Sequence, residues 1–118
     1  MLSIISLTYS LSTSAADLLG ADALSTYEDA LCAALETAYP GAEVSVDVRR
    51  ATADESTYRA TCVMPDGVEF QVWCDGIGGV EVGVDPEVLG FAESEAICAS
   101  FRHADEMAWE RACEAVEA

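Results

Sequence analysis

Carboxylates are the most abundant side chains in this sequence that could do chemistry. Its 118 residues include 22 Asp and Glu, against five Arg, no Lys and one His. Adjacent acids such as Asp105 and Glu106 are the residue types that general acid and base catalysis uses. With this many acids, however, adjacent pairs arise by chance, so they identify no catalytic site.

Nucleophilic catalysis and metal binding both lack the residues that they need. His103 lies on the predicted polar face of the last helix near Glu106, which indicates a solvated side chain rather than a base beside Ser or Cys. The glycine-rich residues 76–79 lead into a strand and lack the helix N-terminus that phosphate binding requires. No Cys-x-x-Cys pair that could begin a zinc site occurs among the cysteines, which are Cys32, Cys62, Cys74, Cys98 and Cys113. We therefore expect no enzymatic activity, no metal and no cofactor.

The last predicted helix carries acids in a pattern that favours binding instead. Glu106, Glu110 and Glu114 repeat every four residues, about 6 Å of rise each. Like charges at this spacing oppose helix formation by about 0.2–0.5 kcal/mol per pair. A row of carboxylates on a rigid helix resembles a stretch of nucleic-acid backbone in charge, so its complement is a basic nucleic-acid-binding surface. The predicted partner-binding residues on this helix are Glu95, Glu106, Glu110, Glu114 and Glu117.

Two alternatives to partner binding by this helix face remain: a different binding surface, and an acidic face that binds no partner. The outer face of the predicted sheet places an aromatic anchor, Trp73, among the acids Glu69 and Glu81, so these three residues are also predicted to bind a partner. The acidic helix face is equally typical of a solvated surface in a protein from an acid-rich or high-salt proteome. The sequence alone does not choose between them.

Charge and hydropathy exclude several classes of partner. Five Arg against 22 acids give a formal net charge of −17, which repels phosphate and disfavours direct binding to nucleic acid or an anionic membrane. No apolar stretch approaches the roughly 20 residues of a membrane span. Residues 1–11 contain no basic residue and alternate Ser or Thr with apolar residues, so we interpret them as a strand rather than a signal peptide. The odd number of unpaired cysteines favours free thiols in the cytoplasm.

The elements that must position these residues form a single domain spanning residues 1–118. Alternating apolar residues predict strands at 5–12, 43–49, 57–64, 68–74 and 80–85, with Cys62 opposite Phe70 in the hairpin. A short turn over 14–20, ended by Gly20, precedes a helix capped by Ser25 and running over 25–38, and a second helix covers 93–116. This order, β-α-β-β-β-β-α, predicts an α+β two-layer sandwich, an antiparallel sheet with two helices on one face.

Two resemblances bear on function. The α-β-β-β-α portion resembles the double-stranded-RNA-binding domain in element order only, because the basic residues that would contact phosphate are missing. In size and charge the chain resembles phage and mobile-element inhibitors of restriction or CRISPR enzymes. That resemblance implies an acidic inhibitor, a DNA mimic that occupies a basic surface of a nucleic-acid-binding enzyme. The alternatives are an immunity-type protein that neutralises a basic toxin and a small acidic structural or adaptor domain.

Overall fold

The computed structural model describes residues 2–52, 56–74, 82–84 and 89–117 of the chain. Its elements are β1 (Ile4–Leu11), α1 (Thr13–Ala38), β2 (Glu43–Arg50), β3 (Thr57–Val63), β4 (Glu69–Cys74), β5 (Val82–Val84) and α2 (Phe91–Glu117). Within this described part, the predicted α+β class, the order of the elements and the two helices are confirmed.

The strands form one mixed sheet in the order β2-β1-β3-β4-β5. β1 pairs in parallel with β2, whereas the other neighbouring strands are antiparallel. The sequence predicted a wholly antiparallel sheet, and the difference comes from α1. This helix carries the chain back to the end of the sheet where β1 begins, so Glu43 starts β2 opposite Ile4.

One face of the sheet is apolar and buried. Along β1, Ile5, Leu7 and Tyr9 are buried, while the residues between them are exposed or half-buried. The neighbouring strands continue this face in register, with Cys62 opposite Ile5 and Phe70 opposite Cys62. The hairpin register predicted from the alternating pattern is therefore confirmed for this pair of strands.

α1 begins at a capping serine and kinks at a glycine. The Ser12 hydroxyl accepts a hydrogen bond from the backbone N–H of Ala15. Gly20 has φ 81°, a left-handed conformation that glycine adopts without steric cost, and the helix kinks there. The predicted break at Gly20 thus has a counterpart, but the predicted start at Ser25 is wrong, because Ser25 lies inside α1.

Burial explains why the helix resumes immediately after the kink. Before Gly20 the buried side chains of α1 are Ala16 and Leu19, three residues apart, and from Leu19 onward they continue at intervals of four. Both segments therefore present apolar residues to the same core. Tertiary packing of this kind overrides local start and stop signals. The buried stripe consists of Ala16, Leu19, Ala23, Tyr27, Leu31 and Leu35.

α2 packs antiparallel to α1 on the buried face of the sheet. The Tyr39 ring, just after α1, lies 6.0 Å from that of Phe101, and the Tyr27 ring lies 5.8 Å from that of Trp109, further along α2. Three of the core residues of α2 are alanines, and small side chains allow two helices to approach closely. The buried apolar residues of α2 are Phe101, Ala104, Ala108 and Ala112.

We expect Leu31→Ala to lower the free energy of unfolding by about 2–5 kcal/mol, because Leu31 is 0% exposed and its loss leaves a cavity. Leu18, on the same helix, is 69% exposed, so Leu18→Ala is the matched control and should change stability by less than about 0.5 kcal/mol. Urea unfolding followed by circular dichroism measures both variants. Equal unfolding midpoints would contradict this packing of α1.

Candidate functional site

The structure places the predicted acids of α2 at the surface. Glu95, Glu106, Glu110 and Glu114 are all exposed, and we call these four residues the acidic row. Glu117 is the last residue of α2, and its side chain lies outside the described part of the structure. The 27 residues of α2 correspond to about 40 Å of helix. The row thus lies on an element about as long as the molecule, whose largest extent is 42 Å.

The acidic row is not neutralised by ion pairs. Among the described residues, Arg49 pairs with Asp47 and Arg50 pairs with Asp17, all four of them outside α2. Both pairs join exposed side chains, where such contacts contribute about 0–1 kcal/mol. The carboxylates of the row therefore remain available to cations on another molecule.

A groove lies between α1 and α2, on the side of the helices that faces away from the sheet. It has a volume of about 630 Å³, and small side chains form most of its lining. Met107, which is 47% exposed, is the largest apolar side chain in it. The apolar lining consists of Ala30, Ala33, Ala34 and Ala38 of α1 and Ala104 and Met107 of α2.

Acids border this groove on both helices. On α1, Asp29 lines the groove, while Asp22 and Glu36 lie seven residues before and after it and are exposed. Residues three apart share a helix face. Glu106, Glu110 and Glu114 follow, each by three positions, the groove-lining residues His103, Met107 and Arg111. The two helices α1 and α2, which we call the helix layer, thus present an apolar groove between two sets of carboxylates.

The hydroxyl groups in the groove are not arranged for nucleophilic catalysis. Ser100 donates its hydroxyl proton to the carbonyl of Ala96, and Thr26 and Thr37 donate theirs to backbone carbonyls four residues earlier. His103 lines the groove but is exposed, as expected for a solvated side chain. A nucleophile needs a base within hydrogen-bond reach, and these hydroxyls bond to the backbone instead.

The second predicted site, on the outer face of the sheet, differs in charge from the helix layer. Glu69 is exposed and Trp73 is half-buried, whereas Glu81 lies outside the described residues. Arg49 and Arg59 are exposed on outward positions of the same face. Since the helices cover the opposite face, the two groups of predicted residues do not converge into one site. Of the two surfaces, the helix layer is the more uniformly acidic.

Sequence reasoning missed one carboxylate of a different kind. Asp105 is only 8% exposed, and its carboxylate accepts a hydrogen bond from the hydroxyl of Tyr27, which is fully buried. Burial, followed by the negative charge of Glu106, raises the pKa of Asp105 to about 7. The available signal was its position four residues after Phe101 and three before Ala108, within the apolar arc.

Asp105 belongs to the core rather than to the groove. It does not line the groove, and its partner Tyr27 makes edge-to-face contacts with Tyr9 and Trp109. A buried carboxyl that is hydrogen-bonded within an aromatic cluster fixes how the two helices pack, at the cost of burying its charge. We therefore assign Asp105 a structural role.

The cysteines differ in burial. Cys62 is fully buried, as predicted, and burial raises the pKa of its thiol to about 12. Cys98 was predicted to be buried but is half-buried, and the side chain of Cys74 lies outside the described part. Burial and the nearby Glu36 raise the pKa of Cys32 to about 11. The thiols of Cys62 and Cys32 are therefore poor nucleophiles, because the thiolate is the reactive form and a raised pKa keeps the thiol protonated.

Three further observations concern metal binding, membrane spans and similarity to known proteins. The described residues contain no group of three or more His, Cys, Asp or Glu placed to hold a metal ion. In the same part of the chain, neither helix is long and apolar enough to cross a membrane. Comparison with protein-family models, curated proteins and solved structures found no match to this chain.

We expect the stability of the protein to fall as the pH rises from about 4 to about 7, because folding raises the pKa of Asp105 from 3.8 to about 7. The folded state holds this proton more tightly, so its contribution to stability is full below pH 3.8 and is lost as the pH rises through 7. A shift of this size corresponds to roughly 4 kcal/mol. Thermal melts across this range measure the effect.

Asp105→Asn removes the titration and should flatten the dependence of the melting temperature on pH. Asp22→Asn, at an exposed position of α1, removes the same charge and should leave the slope unchanged. Tyr27→Phe removes the hydrogen-bond donor and should destabilise the protein more at high pH than at low pH. Equal slopes for Asp105→Asn and Asp22→Asn would show that Asp105 does not carry the effect.

Proposed function

We propose that this protein is a non-enzymatic inhibitor that binds a basic, nucleic-acid-binding surface of a target protein through its helix layer. The observation that carries the proposal is the acidic row, whose glutamates are exposed on one rigid helix and outside the ion pairs of the described residues. Such a surface attracts basic partners, and complementary charge accelerates encounter and selects among partners.

The distribution of charge favours this function over a generally solvated acidic surface. Acid-rich proteomes place carboxylates over the whole surface of a protein. Here the two helices carry nine exposed acids and two exposed arginines, Arg102 and Arg111, whereas the described part of the outer sheet face carries three exposed acids beside Arg49 and Arg59. Uneven placement of this kind is typical of an interaction surface.

The partner class follows from sign and geometry. Phosphate is repelled by a chain of net charge −17, so the partner is a basic protein rather than a nucleic acid. Carboxylates repeating every 6 Å or so along a helix offer a basic cleft an alternative to the phosphates of its own ligand. A restriction or CRISPR enzyme is one target of this chemistry. Free, poorly reactive thiols such as that of Cys62 support a cytoplasmic location.

A basic toxin neutralised by an immunity-type protein is the second candidate target. The same acidic row supports it, because both targets require an excess of positive charge. The two targets differ in what this protein would block. In a nucleic-acid-binding enzyme it would block the binding of nucleic acid, and in a toxin it would block the active site.

The test compares two variants that each remove three negative charges. In the helix-layer variant, Glu106, Glu110 and Glu114 are changed to Gln, and in the matched sheet variant Glu43→Gln, Asp47→Asn and Glu69→Gln are combined. The parent protein is used to capture its target from a lysate, and the affinity of the purified target for the parent and for each variant is then measured. We expect the helix-layer variant to bind about tenfold more weakly, mainly through slower association, and the sheet variant to bind as the parent does.

Melting temperatures serve as the folding control, because all six substituted positions are exposed and both variants should melt within a few degrees of the parent. Equal weakening by both variants would mean that net charge alone attracts the target. Weakening by the sheet variant alone would place the contact on the outer sheet face.

A further inference from the structure

We propose that the groove between α1 and α2 binds a basic amphipathic helix of the target. This inference rests on the proposed function and specifies which structural element of the target is recognised. The groove is apolar along its centre and acidic along its edges. A helix with an apolar stripe flanked by Lys and Arg has the complementary pattern.

The dimensions of the groove fit a short helix. Its lining extends from Thr26 to Ala38 on α1 and from Ser100 to Arg111 on α2. These segments correspond to about 18 Å and about 16 Å of helix, and three helical turns need about 16 Å. The groove is therefore as long as about three turns of a helix, and its volume of about 630 Å³ takes the side chains that such a helix inserts rather than the whole helix.

The lining selects the residues that such a helix would insert. Ala33, Ala34 and Ala104 leave space for apolar side chains of the partner at positions i, i+4 and i+7, and Met107 adapts its shape to them. Apolar contact supplies affinity where charge alone supplies mainly speed of association. In this proposal the groove supplies the affinity and the acidic borders supply the rate of association, so both features are needed.

The acids on the two borders reach the flanks of the bound helix from both sides. Asp29 and Glu36 lie on the α1 side, and the three glutamates of the acidic row between 106 and 114 lie on the α2 side. Arg111 and His103 also line the groove, so basic residues of the partner must lie on its flanks rather than at its centre. The occupant is thus a helix with an apolar centre and cationic edges.

A second copy of this chain is a poor occupant of the groove. In a twofold dimer the same surface is used by both subunits. The acidic borders would then face each other, and like charges placed together oppose association. The groove therefore favours a basic partner over self-association.

The test uses two synthetic peptides of about 18 residues, enough to cover three turns with flanking ends. One places Leu and Ala on one helical face and Lys on the flanks, and the other is a scramble of the same composition. Fluorescence anisotropy measures their affinity for the full chain at about 0.1 M salt. We expect the amphipathic peptide to bind at least about tenfold more tightly than the scramble.

Two tryptophan variants locate the binding site. Ala33→Trp fills the groove at an exposed position of α1, and Ala21→Trp adds the same side chain at an exposed position of α1 that does not line the groove. Ala33→Trp should weaken binding of the amphipathic peptide by at least about tenfold, whereas Ala21→Trp should leave it unchanged. The scramble should respond to neither.

Three outcomes would overturn the inference. In the first, the two peptides bind with equal affinity. In the second, Ala33→Trp does not change the affinity of the amphipathic peptide. In the third, the parent chain sediments as a dimer and the Ala33→Trp variant sediments as a monomer. The first two leave the proposed function intact if the change of Glu106, Glu110 and Glu114 to Gln still weakens target binding. If that change has no effect on the target, the proposed function fails whatever the peptides do.

Discussion

The packing of α1 against α2 through small side chains is the interaction on which the rest of the structure depends. Ala104, Ala108 and Ala112 let α2 lie close beside α1, so the two helices together cover one face of the sheet. The same alanine-rich contact leaves a groove on the outer side, where Ala33 and Met107 are exposed. Core and groove are therefore two sides of one helix pair.

Negative charge is distributed by the same packing. Burying an unpaired charge costs several kcal/mol, so the acids occupy the helix faces that the core leaves free. Asp105 is the exception among the described charged residues, and its pKa is raised because burial disfavours the charged form of its carboxyl group. With the inner faces taken by the core, the outer faces become two acidic borders around an apolar groove. The proposed binding of a basic helix depends on this arrangement.

Much of this fold could be predicted from the sequence because its signals are local. The alternation of Cys62 and Phe70 with polar neighbours determined the hairpin register, and the exposure of Glu106 and Glu110 followed from helical periodicity. The parallel pairing of β1 with β2 was missed although the predicted β-α-β order favours it, because a helix between two strands returns the chain to the end of the sheet where the first strand begins. Ser25 has the local pattern of a helix start, but it lies inside α1, because Leu19 and Ala23 pack on a common core and the helix continues through this capping signal.

The candidate site, like the fold, could be predicted only where its signals lie within one element. The acidic row lies on one helix, so periodicity was enough to find it. The groove needs two helices packed at a particular distance, and no pattern within α1 or α2 alone indicates that Ala33 and Met107 line the same groove. Asp105 was overlooked because composition suggested that acids are exposed, although its place in the apolar arc indicated the contrary.

Competition between this protein and nucleic acid for one captured target tests the central claim most directly. A labelled duplex is bound to the purified target, and the unlabelled parent protein is titrated in at fixed salt. The account predicts full displacement of the duplex and no ternary complex, with an apparent affinity that falls in proportion to the duplex concentration. A stable complex containing target, duplex and this protein together would contradict it.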